Sequence, residues 1–154
     1  KKEYLALAWG KLKDQGIIEG GMERHTRYRK LFTMVESGGR NSSTEFKLDE
    51  YFSPLSWLRL YPKTGRTHQL RVHLKSIGHP IFCDDAYGGG AKYARSFHVK
   101  YTQLLNRLIK TVNRVALHAY TIEFSHPSTK EIMKFEAPIP EDLNRALEIL
   151  KNEK

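Results

Sequence analysis

Apolar and polar residues alternate along much of the chain, which is the pattern of half-buried strands. An unbroken apolar and aromatic segment at residues 3–9 predicts a buried strand, and Ile17-Ile18 predicts a short return strand that ends at Gly20-Gly21. Residues 22–30 show no such alternation and are predicted to form a basic loop. Further strands are predicted at residues 31–36, 43–51, 57–61, 117–124 and 131–136.

Helical spacing of apolar residues is confined to three segments. The central one has an apolar stripe at i, i+4 and i+7, formed by Leu70, Leu74 and Ile77, and Gly78 is a natural C-terminal stop. A second helix is predicted near residues 101–110. The last begins at Pro140-Glu141-Asp142, where early acids suit the N-terminal dipole. The pattern predicts one α+β domain over residues 1–154, with a predominantly antiparallel mixed sheet and a few flanking helices.

The charge balance narrows the choice of partner. The 154 residues include 26 Lys and Arg against 17 Asp and Glu, a net charge of +9. Such an excess favours a polyanion, nucleic acid first and an acidic membrane surface second, although a merely basic soluble protein is the alternative. The single cysteine, Cys83, cannot form an internal disulfide, which favours a reducing, cytoplasmic location. The apolar segment at residues 4–9 is too short to span a bilayer, and no membrane partner is expected.

The start of the central helix is the strongest candidate site. The run from Thr64 to Leu74 contains two arginines and two histidines and no acidic residue. A helix N-terminus presents unpaired N–H groups and partial positive charge. Gly65 lets the backbone turn tightly and approach a ligand, and Arg66 adds charge at that end. The run therefore predicts a site for an anion.

Helical geometry places Arg71 at the border of core and solvent. Thr67 and Arg71 lie on one edge of the apolar stripe, and Arg66 and His73 lie on the other. A half-buried guanidinium without a carboxylate or phosphate is costly, so Arg71 is predicted to bind an anion. The alternative is that the side chain reaches water or caps a backbone carbonyl.

Other chemistries find little support in the sequence. His68, His73 and His79 are five and six residues apart, which does not place two imidazoles on one helical face, so hydrogen-bonding histidines are expected and no metal site. A hydrolase is not predicted, because the chain has no Gly-x-Ser-x-Gly motif. The glycine pairs do not match a phosphate-binding loop and are predicted to be turns.

The segment Thr64-Gly65-Arg66-Thr67-His68-Gln69-Leu70-Arg71-Val72-His73-Leu74, followed by Gly78-His79-Pro80-Ile81, Asp84 and Tyr87-Gly88, resembles the RluA-type pseudouridine synthases. Shorter likenesses follow in the same order as in the family. Residues 2–6 resemble the strand of the active-site tyrosine, residues 24–30 its arginine-rich loop, and residues 117–119 and 135–140 its closing strands. The resemblance covers nearly the whole chain and implies the catalytic-domain fold of these enzymes.

The resemblance implies an RNA pseudouridine synthase that isomerises uridines in structured ribosomal or transfer RNA. The base leaves the helical stack, and no cofactor is required. By this resemblance Tyr4 packs against the flipped uracil and assists proton removal, and Arg71 pairs with a nucleophilic aspartate. Leu74 and Thr67 are expected to line the substrate pocket. Contacts to RNA are expected from Arg24, Arg27, Arg29, Lys30 and Arg66.

One part of the family pattern has no counterpart here. The family carries its nucleophile in a His-Arg-Leu-Asp motif upstream of the tyrosine strand, and this sequence has no such motif. We therefore expect the C-terminal portion of a catalytic domain, inactive alone, whose partner is the remainder that carries the nucleophilic aspartate. The alternatives are a non-catalytic RNA-binding module that retains the fold, and a basic DNA-binding protein. Against the last, the chain shows no helix and turn preceding the central helix.

Overall fold

A computed structural model describes residues 1–153 of the chain. Its strands are β1 (Lys2–Trp9), β2 (Gln15–Arg24), β3 (Phe32–Val35), β4 (Arg40–Tyr51), β5 (Leu55–Pro62), β6 (Leu117–Ser125) and β7 (Ile132–Glu136). Its helices are α1 (Gln69–Ser76), α2 (Ala91–Ala94), α3 (Thr102–Val112) and α4 (Glu141–Asn152), with short 3-10 helices at Asp85–Tyr87 and Val99–Tyr101. The predicted α+β class is confirmed.

The strands form one seven-stranded antiparallel sheet in the order β3-β2-β4-β5-β1-β6-β7. Strand β1 lies inside the sheet, and residues 5–9 are at most 1% exposed. Side chains on both faces of this strand are therefore covered, which explains why its sequence is a continuous apolar run and not an alternating one.

The strand register places Tyr4 on the same face of the sheet as α1. Tyr4 pairs with Leu60, and Leu60 pairs with Phe46 of β4. Thr44, two residues before Phe46, projects from the same face and is hydrogen bonded to residues of α1. Tyr4 of β1 and helix α1 thus lie on one face of the sheet, where a site can form between them.

Strand β2 is longer than the sequence predicts. It runs through Gly20-Gly21 to Arg24, so the prediction that these glycines end it is wrong. A Cβ at Gly21 would lie 2.3 Å from the carbonyl oxygen of Gly38. The glycine is needed because the turn before β4 approaches the strand closely, a role that the sequence cannot distinguish from a strand end. The basic loop is correspondingly shorter, since residues 22–24 belong to the sheet.

Helix α1 also begins later than expected. It starts at Gln69, so Arg66 and Thr67 precede it and do not lie on the edges of its apolar stripe. A Cβ at Gly65 would meet no atom within 4 Å, so no close approach within residues 1–153 requires a glycine at this position. Ile77 is 39% exposed and is not part of the core stripe, whereas Gly78, with a φ of 83°, follows the helix end as predicted.

The C-terminal half follows the predicted pattern. Helix α3 contains the predicted segment 101–110 nearly in full, and α4 begins next to Pro140. Buried leucines of these two helices belong to the same core as β1 and β5: Leu105, Leu108, Leu143, Leu147 and Leu150. Among residues 1–153, no helix combines the length and apolarity needed to cross a bilayer.

Candidate active site

A buried polar network fastens the first turn of α1 to the sheet. The Gln69 amide nitrogen donates to the carbonyl oxygen of Ser43 at 3.0 Å and to the hydroxyl of Thr44 at 2.9 Å. The Gln69 amide oxygen accepts from the Thr64 hydroxyl at 2.6 Å and from the Arg66 backbone N–H at 3.1 Å. The network fixes the segment before the helix, because a buried amide must keep its partners.

His73 continues this network deeper into the protein, where it is fully buried. The Ser42 hydroxyl donates to the carbonyl oxygen of Gly20 at 2.7 Å, so the Nε2 of His73, 2.7 Å from that hydroxyl, must carry the proton. The Nδ1 of His73 then accepts from the Thr44 hydroxyl at 2.8 Å. Burial lowers the pKa of His73 to about 4, so the ring is neutral at physiological pH.

A cavity of about 320 Å³ lies between β1 and the start of α1. Tyr4 and Arg71, the two predicted catalytic residues, both line it. Two further cations, Lys2 and Arg66, contribute to its wall, and no carboxylate of the described residues does so. A cavity lined by cations in this way concentrates anions, as the basic run predicts.

Arg71 forms an ion pair with Asp84 of the same chain. Its Nε lies 2.9 Å from Oδ2 of Asp84 and its Nη2 lies 2.8 Å from Oδ1, a two-pronged ion pair. Asp84 is fully buried, and the Arg71 guanidinium lies over the ring of Tyr87, 4.8 Å from its centre. The hydrogen bonds to Asp84 raise the pKa of Arg71. Within residues 1–153 the carboxylate that pairs with Arg71 is therefore Asp84, and the expected pairing with a nucleophilic aspartate outside this sequence stays a prediction.

The ion pair leaves part of the guanidinium available. Asp84 engages Nε and Nη2 of Arg71, and the Nη1 has no hydrogen-bond partner among residues 1–153. Because Arg71 lines the cavity, its remaining donors can bind an anion or a carbonyl oxygen there.

His68 and Tyr87 form the side of the site next to β3. The Nδ1 of His68 lies 2.7 Å from the Tyr87 hydroxyl, which accepts from the backbone N–H of Phe32 at 3.0 Å. Burial lowers the pKa of His68, and the neighbouring positive charge of Arg71 lowers it further.

The predicted RNA-contacting cations occupy two places. Four of them, Arg24, Arg27, Arg29 and Lys30, are exposed at the end of β2 and in the loop that follows. The Arg24 guanidinium lies over the ring of Phe32, 4.9 Å from its centre. Arg66 stands apart, since it lines the Tyr4 and Arg71 cavity and its Nε donates to the carbonyl oxygen of Asn41 at 2.8 Å.

Two predicted pocket residues are corrected. Leu74 is 1% exposed and packs in the main core, and it does not line the cavity. Thr67 is exposed and also lies outside the lining. The aliphatic part of the lining comes instead from Leu70, Leu117 and Pro62. The reason is the late start of α1: the first leucine of the helix lies beside the cavity, while the second lies one turn deeper.

The sequence analysis includes Gln69, Asp84 and Tyr87 in the family motif but gives them no role in this site. One signal was available for Asp84, because it is an acid that directly follows the apolar segment Ile81-Phe82-Cys83 and a buried acid needs a cation. No local signal identifies Tyr87, whose partners lie 55 and 19 residues away in the chain.

The three histidines of this region engage different partners. His68 binds Tyr87, His73 binds Thr44 and Ser42, and the Nδ1 of His79 lies 2.7 Å from the carbonyl oxygen of Trp9. Over residues 1–153, no group of three His, Cys, Asp or Glu side chains is arranged to hold a metal ion.

Comparison with known proteins finds similarity to RNA pseudouridine synthases. A sequence model of the RNA pseudouridylate synthase family matches residues 1–76. Ribosomal large subunit pseudouridine synthase D of Vibrio cholerae is 37% identical over 142 residues, which are 92% of this chain and 42% of the relative. Ribosomal large subunit pseudouridine synthase C of Escherichia coli is 38% identical over 162 residues, which are 99% of this chain and 46% of the relative. The chain thus spans less than half the length of either relative.

A solved structure shows the same fold. Human RNA Pseudouridylate Synthase Domain Containing 1 superposes with a TM-score of 0.67 and 26% identity, over 97% of this chain and 65% of the human one.

Proposed function

Because the chain belongs to the RNA pseudouridylate synthase family, we propose that it is the C-terminal portion of a catalytic domain that isomerises uridine in RNA. The observation that carries this proposal is the meeting of Tyr4 and Arg71 in one cavity that also holds Lys2 and Arg66 and no described carboxylate. An aromatic ring beside a cluster of cations suits a nucleotide that has been turned out of its stack.

The reaction breaks the bond between ribose and N1 of uracil, turns the base and joins it again through C5. Its reactant and product are isomers, so its stoichiometry requires no redox partner. In our proposal Tyr4 contacts the extruded base and Arg71 orients the reacting groups with the donors that Asp84 leaves free. Because Asp84 engages Arg71 through both oxygens, any additional carboxylate would have to use those remaining donors.

The proposed nucleophile is an aspartate on the remainder of the catalytic domain, outside this sequence. Asp84 contacts Arg71 but is fully buried, and both of its oxygens are engaged, so it cannot attack a substrate. The other aspartates do not line the cavity. We therefore expect the isolated chain to be inactive.

The proposed substrate is ribosomal RNA in the cytoplasm. The support is the name of the relatives, which are ribosomal large subunit synthases, together with the exposed cations at residues 24–30. Such cations bind phosphates with an affinity that falls as salt rises.

The test is a map of pseudouridines in ribosomal and transfer RNA of cells that lack the complete gene. We expect the loss of modification at one or a few uridines of the large ribosomal subunit. The complete gene should restore them, and Arg71→Lys should fail because an ammonium cannot form the two-pronged pair. Arg145→Lys is the matched control, since that side chain is 65% exposed and lies outside the cavity.

The outcomes separate the candidate functions. Loss confined to transfer RNA would keep the activity and overturn the proposed substrate. An unchanged map, with RNA still bound by the complete protein, would establish a non-catalytic RNA-binding module. Thermal unfolding of both variants shows whether a failure of Arg71→Lys reflects chemistry or a lost fold.

A further inference from the structure

His68 has a backbone conformation that requires an explanation. With a φ of 56° and a ψ of 21° it is left-handed, at the position immediately before α1. A non-glycine residue adopts this conformation rarely, and it persists where surrounding contacts fix it. The side chain makes no capping bond to the helix, so capping does not explain the geometry.

The hydrogen bonds around Tyr87 determine which nitrogen of His68 carries the proton. The Tyr87 hydroxyl already accepts the backbone N–H of Phe32 at 3.0 Å. Its single proton satisfies the Nδ1 of His68, 2.7 Å away, so that nitrogen is the acceptor. The neutral ring then carries its proton on Nε2.

The Nε2 of His68 is not engaged by the part of the protein that the structure describes. It has no hydrogen-bond partner within residues 1–153, and no buried side-chain nitrogen or oxygen of these residues is without a partner. The atom is therefore accessible. The one cavity described above whose wall includes His68 is that of Tyr4 and Arg71.

We propose that His68 is a substrate-contacting residue that donates its Nε2–H to a carbonyl oxygen of the extruded base, with Tyr87 as the positioning residue that fixes its tautomer. The contact is to the base and not to phosphate, because Lys2, Arg66 and Arg71 already supply cations to the same cavity. A neutral N–H fixed in this way can donate to a carbonyl oxygen, whereas an exocyclic amino group offers it no acceptor. This inference rests on the proposed function, since it assumes a pyrimidine in the cavity.

The test is an NMR titration of this chain with uridine 5′-monophosphate, observing the imidazole nitrogens and their attached protons. In the free protein we expect a pyridine-type Nδ1 and a protonated Nε2 for His68. Saturation should shift the Nε2–H of His68 together with signals of Tyr4 and Arg71. Ribose 5-phosphate, which carries no base, should leave the Nε2–H of His68 in place.

Two variants test the positioning role. Tyr87→Phe removes the hydroxyl that holds the tautomer, so we expect mixed tautomers of His68 and about a threefold to tenfold weaker binding of uridine 5′-monophosphate. His68→Ala should weaken binding to a similar degree. Tyr101→Phe is the control, because its hydroxyl is bonded to Ser53 outside the cavity and its loss should change neither property.

Each result has one meaning. If uridine 5′-monophosphate shifts Tyr4 and Arg71 but not His68, or if ribose 5-phosphate shifts His68 equally, this inference is wrong and the proposed function stands. If the nucleotide shifts none of the three even in the complete protein, at the highest concentration that stays soluble, the cavity is not a nucleotide site and both fail. A free protein with the proton on Nδ1 of His68 would contradict the role of Tyr87.

Discussion

The neutral state of His73 makes the stability of this domain sensitive to mild acid. Its pKa is lowered to about 4 by burial, whereas an unfolded histidine titrates near 6.5. As the pH falls below about 6.5, His73 takes up a proton in the unfolded chain but stays neutral in the folded chain. Stability is therefore lost as the pH falls from about 6.5 to about 4 and is present in full above that window.

The size of the loss follows from the difference between the two pKa values. Each unit corresponds to about 1.4 kcal/mol, so the loss approaches about 3 kcal/mol once the pH is below both values. Between pH 7 and pH 4.5, a shift of this size removes about 2 kcal/mol. The structural reason is that a second ring proton on Nδ1 would meet the proton of the Thr44 hydroxyl that it now accepts.

Urea unfolding at several pH values, on the chain and on His73→Gln, measures this effect. Carboxyl groups with lowered pKa values, such as Glu3 and Asp142, also lose stability in acid, but they are common to both proteins. We expect the chain to lose about 2 kcal/mol more than the variant between pH 7 and pH 4.5. The exposed histidine variant His98→Gln should behave as the parent does. Equal losses in the parent and in His73→Gln would refute the assignment of a buried neutral ring.

Two further predictions concern residues placed by the fold. Leu74→Ala should destabilise the domain by about 2–5 kcal/mol in urea unfolding, because the side chain is in the core. The folded variant should bind uridine 5′-monophosphate as tightly as the parent does. Weaker binding at unchanged stability would show that Leu74 lines the pocket after all. Burial raises the pKa of Cys83 to about 12, so a disulfide reagent at pH 8 should label the native thiol roughly a thousandfold more slowly than the unfolded one. Comparable rates would show an accessible thiolate.

The fold was largely predictable because its strands and helices have strong periodic signals. The run at residues 3–9, the alternation in 43–51 and the stripe of the last helix each specify an element by local pattern alone. Errors arose where a distant contact decides the backbone. Gly21 reads as a stop in sequence, yet it is a strand residue because the Gly38 carbonyl packs against it.

The two principal residues of the site could be predicted from the sequence, but the residues that hold them in place could not. Tyr4 and Arg71 were identified through the family resemblance, and the structure brings them to one cavity, although their catalytic roles stay predictions. Their partners depend on contacts between segments that are far apart in sequence. The position of Asp84 after an apolar segment indicates a buried acid, but nothing local shows that its partner is Arg71 or that Tyr87 contacts Phe32.

The internal ion pair changes what Arg71 can contribute. Asp84 balances its charge and holds its plane through two hydrogen bonds, and the Tyr87 ring supports that plane from one face. A cation balanced in this way attracts phosphate weakly but presents its free donors in a fixed direction. Lys2 and Arg66 line the same cavity without a carboxylate partner among residues 1–153, so electrostatic attraction of a nucleotide comes chiefly from them. Attraction and orientation are therefore assigned to different side chains, and Arg71 matters for geometry more than for affinity.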